Sequence, residues 1–219
     1  MTKERPILFS GAMVRALLDG TKAQTRRIVK GASSVMLHHV GGVDVTAEEV
    51  RRRFRCPYGV VGDRLWVCET WCLAHDEWAH NEPPADGRPS SPEGEGVYYR
   101  ATEPECETPE GRSPWRPSIH MPRWASRITL EVTDVRVQRL QDISEEDARA
   151  EGARRFDDIP DVSPYGTGPR WSMESPTSTA QCLGSPQMAF ANLWNRINGE
   201  GAWDANPWVW AISFKRVQP

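Results

Sequence analysis

Apolar positions fall into short periodic runs separated by long polar stretches. Pro6-Ile7-Leu8-Phe9 reads as an extended lead-in. Met13, Val14, Ala16, Leu17 and Leu18 then recur at helical spacing and leave Arg15 and Asp19 for the polar side, which predicts a helix over 12–19. Gly20 stands where a helix C′ residue belongs, because glycine turns left-handed there without steric cost. Arg26-Arg27-Ile28-Val29 reads as the start of a strand. Thr46 and Glu49 have the spacing of a capping box and start a second helix. From Arg64 to Trp71 both parities are largely apolar, as in a central strand. Val97 to Ala101 predicts another strand. The longest strand signal runs from Ser126 to Leu140, with Ile128, Leu130, Val132, Val135 and Val137 on its buried face. Its parity shift predicts a bulge or bend near Thr133-Asp134. Ser144 to Gly152 is a short helix with a serine cap, acids in the first turn and a glycine stop. Phe190, Leu193, Trp194 and Ile197 form one stripe of a helix over 186–198, and Trp208 to Phe214 closes the pattern as a strand.

Two stretches break this rhythm. Residues 74–114 hold seven prolines and four glycines among many acids, and 157–187 is again rich in Pro, Gly and Ser. Both read as long insertions in one domain spanning 1–219. Scattered strands and short flanking helices predict an α+β fold on a small mixed or antiparallel sheet, closed as a barrel.

Composition narrows the function classes. A formal charge of -3 over 219 residues argues against a general polyanion binder, so any nucleic-acid contact must use a local basic surface. Five irregularly spaced cysteines do not suggest a disulfide framework. The first residues lack the apolar run of a signal peptide, and no stretch is long enough to span a membrane, so a cytoplasmic location is expected. Ten tryptophans suit either a core or platforms for bases.

The candidate chemistry starts at Gly20-Thr21-Lys22-Ala23-Gln24-Thr25-Arg26-Arg27. By itself this is a basic turn past a helix end, where cations complement the dipole. Lys22 and Thr25 would point to opposite faces of a flat strand but can meet in a turn. Glu151 is the second candidate. A carboxylate in a last helical turn opposes the dipole, so it either pairs with a nearby cation or serves as a general base. Trp115 to Trp124 interleaves Arg116, His120, Arg123 and Trp124 with prolines, in the manner of a nucleic-acid contact, and Trp66 adds an aromatic. The cluster Arg51-Arg52-Arg53-Phe54-Arg55 reads as a solvated helix face or a phosphate contact. Cys68, Cys72, His75 and His80 lie close in sequence, but their spacing fits no well-defined zinc site, and no metal is expected. No Walker loop, dinucleotide fingerprint or serine elbow is present.

Gly20, Lys22 and Arg27 match the G-x-K-x-x-x-x-R signature of the ASCH family. Gly62-Asp63, the helix from Ser144 to Gly152 and the aromatic strand ending at Phe214-Lys215 follow in the order that family shows. The chain thus resembles ASCH proteins over about half its length, outside both insertions. With Cys56-Pro57-Tyr58-Gly59 and Asn206-Pro207-Trp208 it looks most like the larger phage and prophage forms. The resemblance implies a PUA-like barrel. It also implies a link to RNA or modified nucleobases, with a modified nucleoside or single-stranded nucleic acid as partner and no cofactor. Small bacterial N4-acetylcytidine amidohydrolases of this family use a Lys, a Thr and a Glu. By motif these fall on Lys22, Thr25 and Glu151, with Gly20, Arg26 and Arg27 beside them. In that reading Lys22 takes the Thr25 proton, Glu151 orients Lys22, and backbone N–H groups after Gly20 hold the oxyanion. A non-catalytic reader of RNA or modified DNA bases, or a ribonuclease, is the alternative.

Overall fold

The computed structural model describes residues 2–32, 45–74, 96–103, 114–157 and 168–217. In chain order its main elements are β1 (Glu4–Leu8), α1 (Gly11–Leu18), β2 (Gln24–Ile28), α2 (Ala47–Arg53), β3 (Arg64–Cys68), β4 (Trp71–Ala74), β5 (Gly96–Tyr99), β6 (Thr129–Arg139), α3 (Glu145–Ala150), β7 (Arg154–Arg155), β8 (Trp171–Ser172), α4 (Pro186–Asn198) and β9 (Trp208–Val217). The fold is α+β. The chain forms two compact units, one of Met1–Asp19, Tyr58–Val132 and Lys215–Pro219, the other of Gly20–Pro57 and Thr133–Phe214.

In the first unit the strand order is β1-β3-β6. β1 runs parallel to β3 with Ile7 opposite Val67, and β3 runs antiparallel to β6 with Leu65 opposite Leu130. Pro6 is tolerated because β1 is an edge strand, where a missing N–H costs no ladder bond. β4 and β5 make a separate ribbon, whose Trp71, Leu73, Val97 and Tyr99 pack with Cys68, Met121 and Ala125. The turn before β3 is held by Asp63, whose carboxylate accepts from the Lys3 and Val60 N–H groups at 3.0 and 3.2 Å. Gly59 has φ +100°, and a Cβ there would lie 2.6 Å from Asp63 Oδ2. The strand expected from Arg64 to Trp71 is interrupted after Cys68 and resumes as β4.

In the second unit the order is β6-β9-β2. β2 pairs antiparallel with β9, placing Thr25 opposite Ile212 and Arg27 opposite Trp210. α3 and α4 pack Ala148, Phe190 and Trp194 with Leu140, Ile143 and Val209. β6 is one strand through Thr133-Asp134, the place expected to bulge or bend, and Leu130 and Val132 before it are buried while Val135 and Val137 after it are half-buried. The division between the two units falls at the same place, between Val132 and Thr133. The described pairings form open sheets; no closed barrel is among them. Of the two insertions, 75–95, 104–113 and 158–167 lie outside the described residues. Among the described residues no helix is long and apolar enough to cross a membrane.

Candidate active site

All the residues of the leading candidate lie in the second unit. Three local features bring them together. Asp19 caps α1, and Gly20 takes φ +72° as the expected left-handed stop, which turns the chain into Lys22 and β2. The Ala23 N–H donates to the Ala150 carbonyl at 2.8 Å, so the start of β2 is bonded directly to the end of α3. α3 itself starts at Ser144, whose Oγ accepts from the Asp147 N–H at 3.0 Å. Asp147 and Glu151 are four apart and so share one face of the helix.

Lys22 Nζ donates to the Glu151 carbonyl at 2.7 Å and to Glu151 Oε2 at 2.8 Å, with side-chain exposures of 1% and 3%. The same ammonium therefore answers both negative groups at that helix end. This resolves the awkward position of Glu151, because its cost against the dipole is offset by a buried cation. The other carboxylate oxygen, Oε1, accepts from Arg26 Nη1 at 3.2 Å. Arg26 is wholly buried. Its Nη2 donates to Asp147 Oδ2 at 2.7 Å and its Nη1 to Gln24 Oε1 at 2.6 Å. Gln24 Nε2 donates to Asp147 Oδ1 and to Ser213 Oγ, each at 3.1 Å. Arg136 Nη2 completes the outer edge by donating to Asp147 Oδ1 at 3.0 Å. The Phe190 ring lies 5.7 Å from the Arg26 guanidinium carbon.

The electrostatics follow from this geometry. Burial pushes the Lys22 ammonium below the usual lysine range; Glu151 opposes the fall, while Arg27 and Arg26 add to it. Burial acts to raise the Asp147 carboxyl, but hydrogen bonds from Arg136 and Gln24 and the charges of Arg26 and Arg136 outweigh it and hold the group below its usual value. A buried lysine with lowered proton affinity, in contact with a carboxylate, is an arrangement suited to proton transfer.

Comparison of the chain with protein-family models, with curated proteins and with solved structures finds no match in any of the three.

Of the expected catalytic residues, Lys22 and Glu151 are thus in direct contact. Thr25 is buried on β2, where strand alternation turns its side chain to the face opposite Gln24 and Arg26. Arg26, which the resemblance sets beside the catalytic residues, is bonded to both Asp147 and Glu151. The Ala23 N–H, one of the expected oxyanion donors, is already bonded to Ala150. Gln24, Asp147 and Arg136 complete the network without having been singled out. Asp147 was legible through its i,i+4 relation to Glu151, and Gln24 through its i,i+2 relation to Arg26.

The basic-aromatic candidates lie in the first unit. Arg116 bridges to Trp71 through backbone bonds of 2.7 and 3.3 Å, with its guanidinium carbon 5.0 Å from the ring centre. Trp124 meets Trp71 edge-on at 6.0 Å and is 40% exposed, and Ile119 is 67% exposed. His120 is exposed, and Arg123 Nε pairs with Glu4 at 2.8 Å. Trp66 packs against the cluster of Trp71 and Met121 as a part-buried core residue. Glu69, buried before β4, takes a two-pronged bond from Arg127 at 2.9 and 3.0 Å, a pair that the sequence pattern did not flag. Burial pushes the Cys68 thiol up to about 11, which disfavours a metal-binding thiolate. No group of three metal-ligating residues occurs among the described residues, and His75 and His80 lie outside them.

Proposed function

We propose that the second unit carries an amidohydrolase site for a modified pyrimidine nucleoside, most concretely an N4-acylated cytidine. In this reading Lys22 and Glu151 are the proton-handling pair. The observation that carries it is the 2.8 Å contact between Lys22 Nζ and Glu151 Oε2 in a site that lowers the lysine's proton affinity. The resemblance of the Gly20 to Arg27 segment to ASCH proteins supplies the substrate class and a PUA-like barrel as the finer architecture.

The chemistry balances in two steps. The resemblance assigns the attack on the acyl carbonyl to the Thr25 hydroxyl, which leaves β2 on the face opposite Arg26, so its proton reaches Lys22 by way of a water. The carbon–N4 bond breaks as that proton reaches the leaving amine, releasing cytidine. Water then cleaves the acyl-threonine ester to a carboxylic acid. If water attacks directly instead, Lys22 takes the water proton and the same two products form. The test is cytidine release from N4-acetylcytidine, read by mass spectrometry, in wild type and Thr25→Ala. Turnover lost in Thr25→Ala supports threonine as nucleophile; turnover kept assigns the attack to water. No turnover by folded wild-type protein overturns the hydrolase reading.

A second reading has its own observation. Trp124, 40% exposed, and Arg116 both pack on Trp71 in the first unit, which offers an aromatic and a cation suited to stacking a base. A non-catalytic reader of single-stranded nucleic acid would lose affinity in Trp124→Ala and keep it in Thr25→Ala. Steep salt dependence of binding would favour a phosphate-tracking reader or a nuclease.

A further inference from the structure

We propose that Asp147 is a positioning residue for the Lys22–Glu151 pair, acting through the Arg26 guanidinium, which it anchors so that Glu151 keeps one oxygen for Lys22. The catalytic consequence rests on the hydrolase reading above; the positioning itself does not.

Arg26 divides its two terminal nitrogens between two carboxylates. The shorter bond is to Asp147, 2.7 Å against 3.2 Å to Glu151. Asp147 also sets the second contact of Arg26. By accepting from Gln24 Nε2, it helps turn Gln24 Oε1 toward the guanidinium, where it receives the 2.6 Å bond. Arg136 holds Asp147 from the outer side. Each side chain in the chain Arg136–Asp147–Arg26–Glu151–Lys22 is therefore bonded to the next. The two carboxylates leave the same face of α3, which gives the assembly one rigid base.

The physical consequence concerns how Glu151 shares its charge. With Asp147 ionised, Arg26 has a stronger partner and bonds Glu151 only through Oε1 at 3.2 Å, leaving Oε2 to Lys22. Without the Asp147 charge, Glu151 becomes the sole carboxylate of a buried guanidinium. It is then drawn toward Arg26 at the expense of the ammonium. Glu151 from α3 and Arg26 and Arg27 from β2 act on Lys22 directly; Asp147 from α3 and Arg136 from β6 connect to it through Arg26, whose guanidinium also faces the uncharged Phe190 of α4.

The test is an NMR titration of the Lys22 Nζ signal, assigned with Lys22→Arg, in otherwise wild-type, Asp147→Asn, Asp147→Glu and Asp134→Asn proteins. Asp147→Asn is expected to lower the Lys22 midpoint by up to about one unit, because Glu151 is drawn toward Arg26 and gives the ammonium less support. Asp147→Glu is expected to restore it. Asp134 pairs with Arg136 at 3.1 Å, so Asp134→Asn removes a neighbouring carboxylate and leaves the Asp147–Arg26 bond in place. Its midpoint is expected to stay at the wild-type value. An unmoved midpoint in Asp147→Asn, or an equal fall in Asp134→Asn, overturns the proposal. If Asp147→Asn does not fold, Arg136→Leu carries the test. Asp147 then turns more fully to Arg26 and the midpoint should rise, so an unchanged value overturns the proposal. The titration reads the same whether or not wild type hydrolyses N4-acetylcytidine. A silent hydrolase assay therefore refutes the catalytic reading without touching this one. If turnover is present, the acid-side, ascending limb of its pH profile should move with the midpoint, because Lys22 accepts the proton in its neutral form.

Discussion

Lys22 and Glu151 are buried charges, and buried charges are kept only when each is answered. Here the answers are complete enough that removing one member leaves the others exposed to their own desolvation cost. Glu151→Gln would leave the Lys22 ammonium and the Arg26 guanidinium facing a neutral amide. A loss of about 3 kcal/mol is expected, as for other broken buried pairs, measured by urea unfolding. Replacing Lys22 and Glu151 together by Met and Leu should cost less than the single change, because no ammonium is then stranded and Arg26 keeps Asp147. A single-change loss below about 0.5 kcal/mol would mean that solvent reaches the pair. Thr25 makes a useful contrast. It carries no charge, so Thr25→Ala should leave the fold intact and report on chemistry alone.

The elements that hold these residues are short, and their ends matter more than their middles. α3 has only six residues, too few to be stable as an isolated helix. It depends on the Ser144 cap, the Ala23–Ala150 bond and the Lys22 bond to the last carbonyl. Ser144→Ala is expected to cost about 1 kcal/mol in thermal or chemical unfolding and to loosen Glu151, raising hydrogen exchange at Glu151 N–H. An unchanged stability would mean that the cap is replaced by water at no cost. These ends were also the most legible part of the sequence. Gly20, Thr46 and Ser144 each mark an observed helix boundary, because capping depends on local side-chain chemistry. Lys22 and Glu151 were legible as candidates for the same reason: one sits past a helix stop and the other is misplaced against a dipole. What the pattern did not reveal depends on contacts between distant residues. The strand over 64–71 ends early before buried Glu69, paired with Arg127 fifty-eight positions away. The parity change in β6 falls where the strand passes from one unit to the other, and periodicity does not show that division, because it records which side is covered and not which unit covers it. The two carboxylates around Arg26 were not legible, because an arginine in sequence carries no sign of the partners that will surround it.

For the whole molecule, these same charges set how stability depends on pH. Asp147 titrates below its usual 3.8 in the folded chain. Its contribution is fully present above that value and is lost as pH falls through the lower, folded one. Asp147→Asn should therefore flatten the acid limb of a stability–pH curve, measured by unfolding from pH 6 to about pH 2. Lys22 works at the other end. Its folded value lies below 10.5, so between the two values the unfolded chain binds more protons and stability rises with pH. Lys22→Met should lose that rise. The measurement that tests the central claim most directly is cytidine release from N4-acetylcytidine by the wild-type protein, Lys22→Met and Glu151→Gln, each checked for folding by circular dichroism. The account predicts turnover by the wild type and its loss in both folded variants. A folded wild type that releases no cytidine, or variants that release it undiminished, would contradict the assignment of Lys22 and Glu151 as a working acid–base pair.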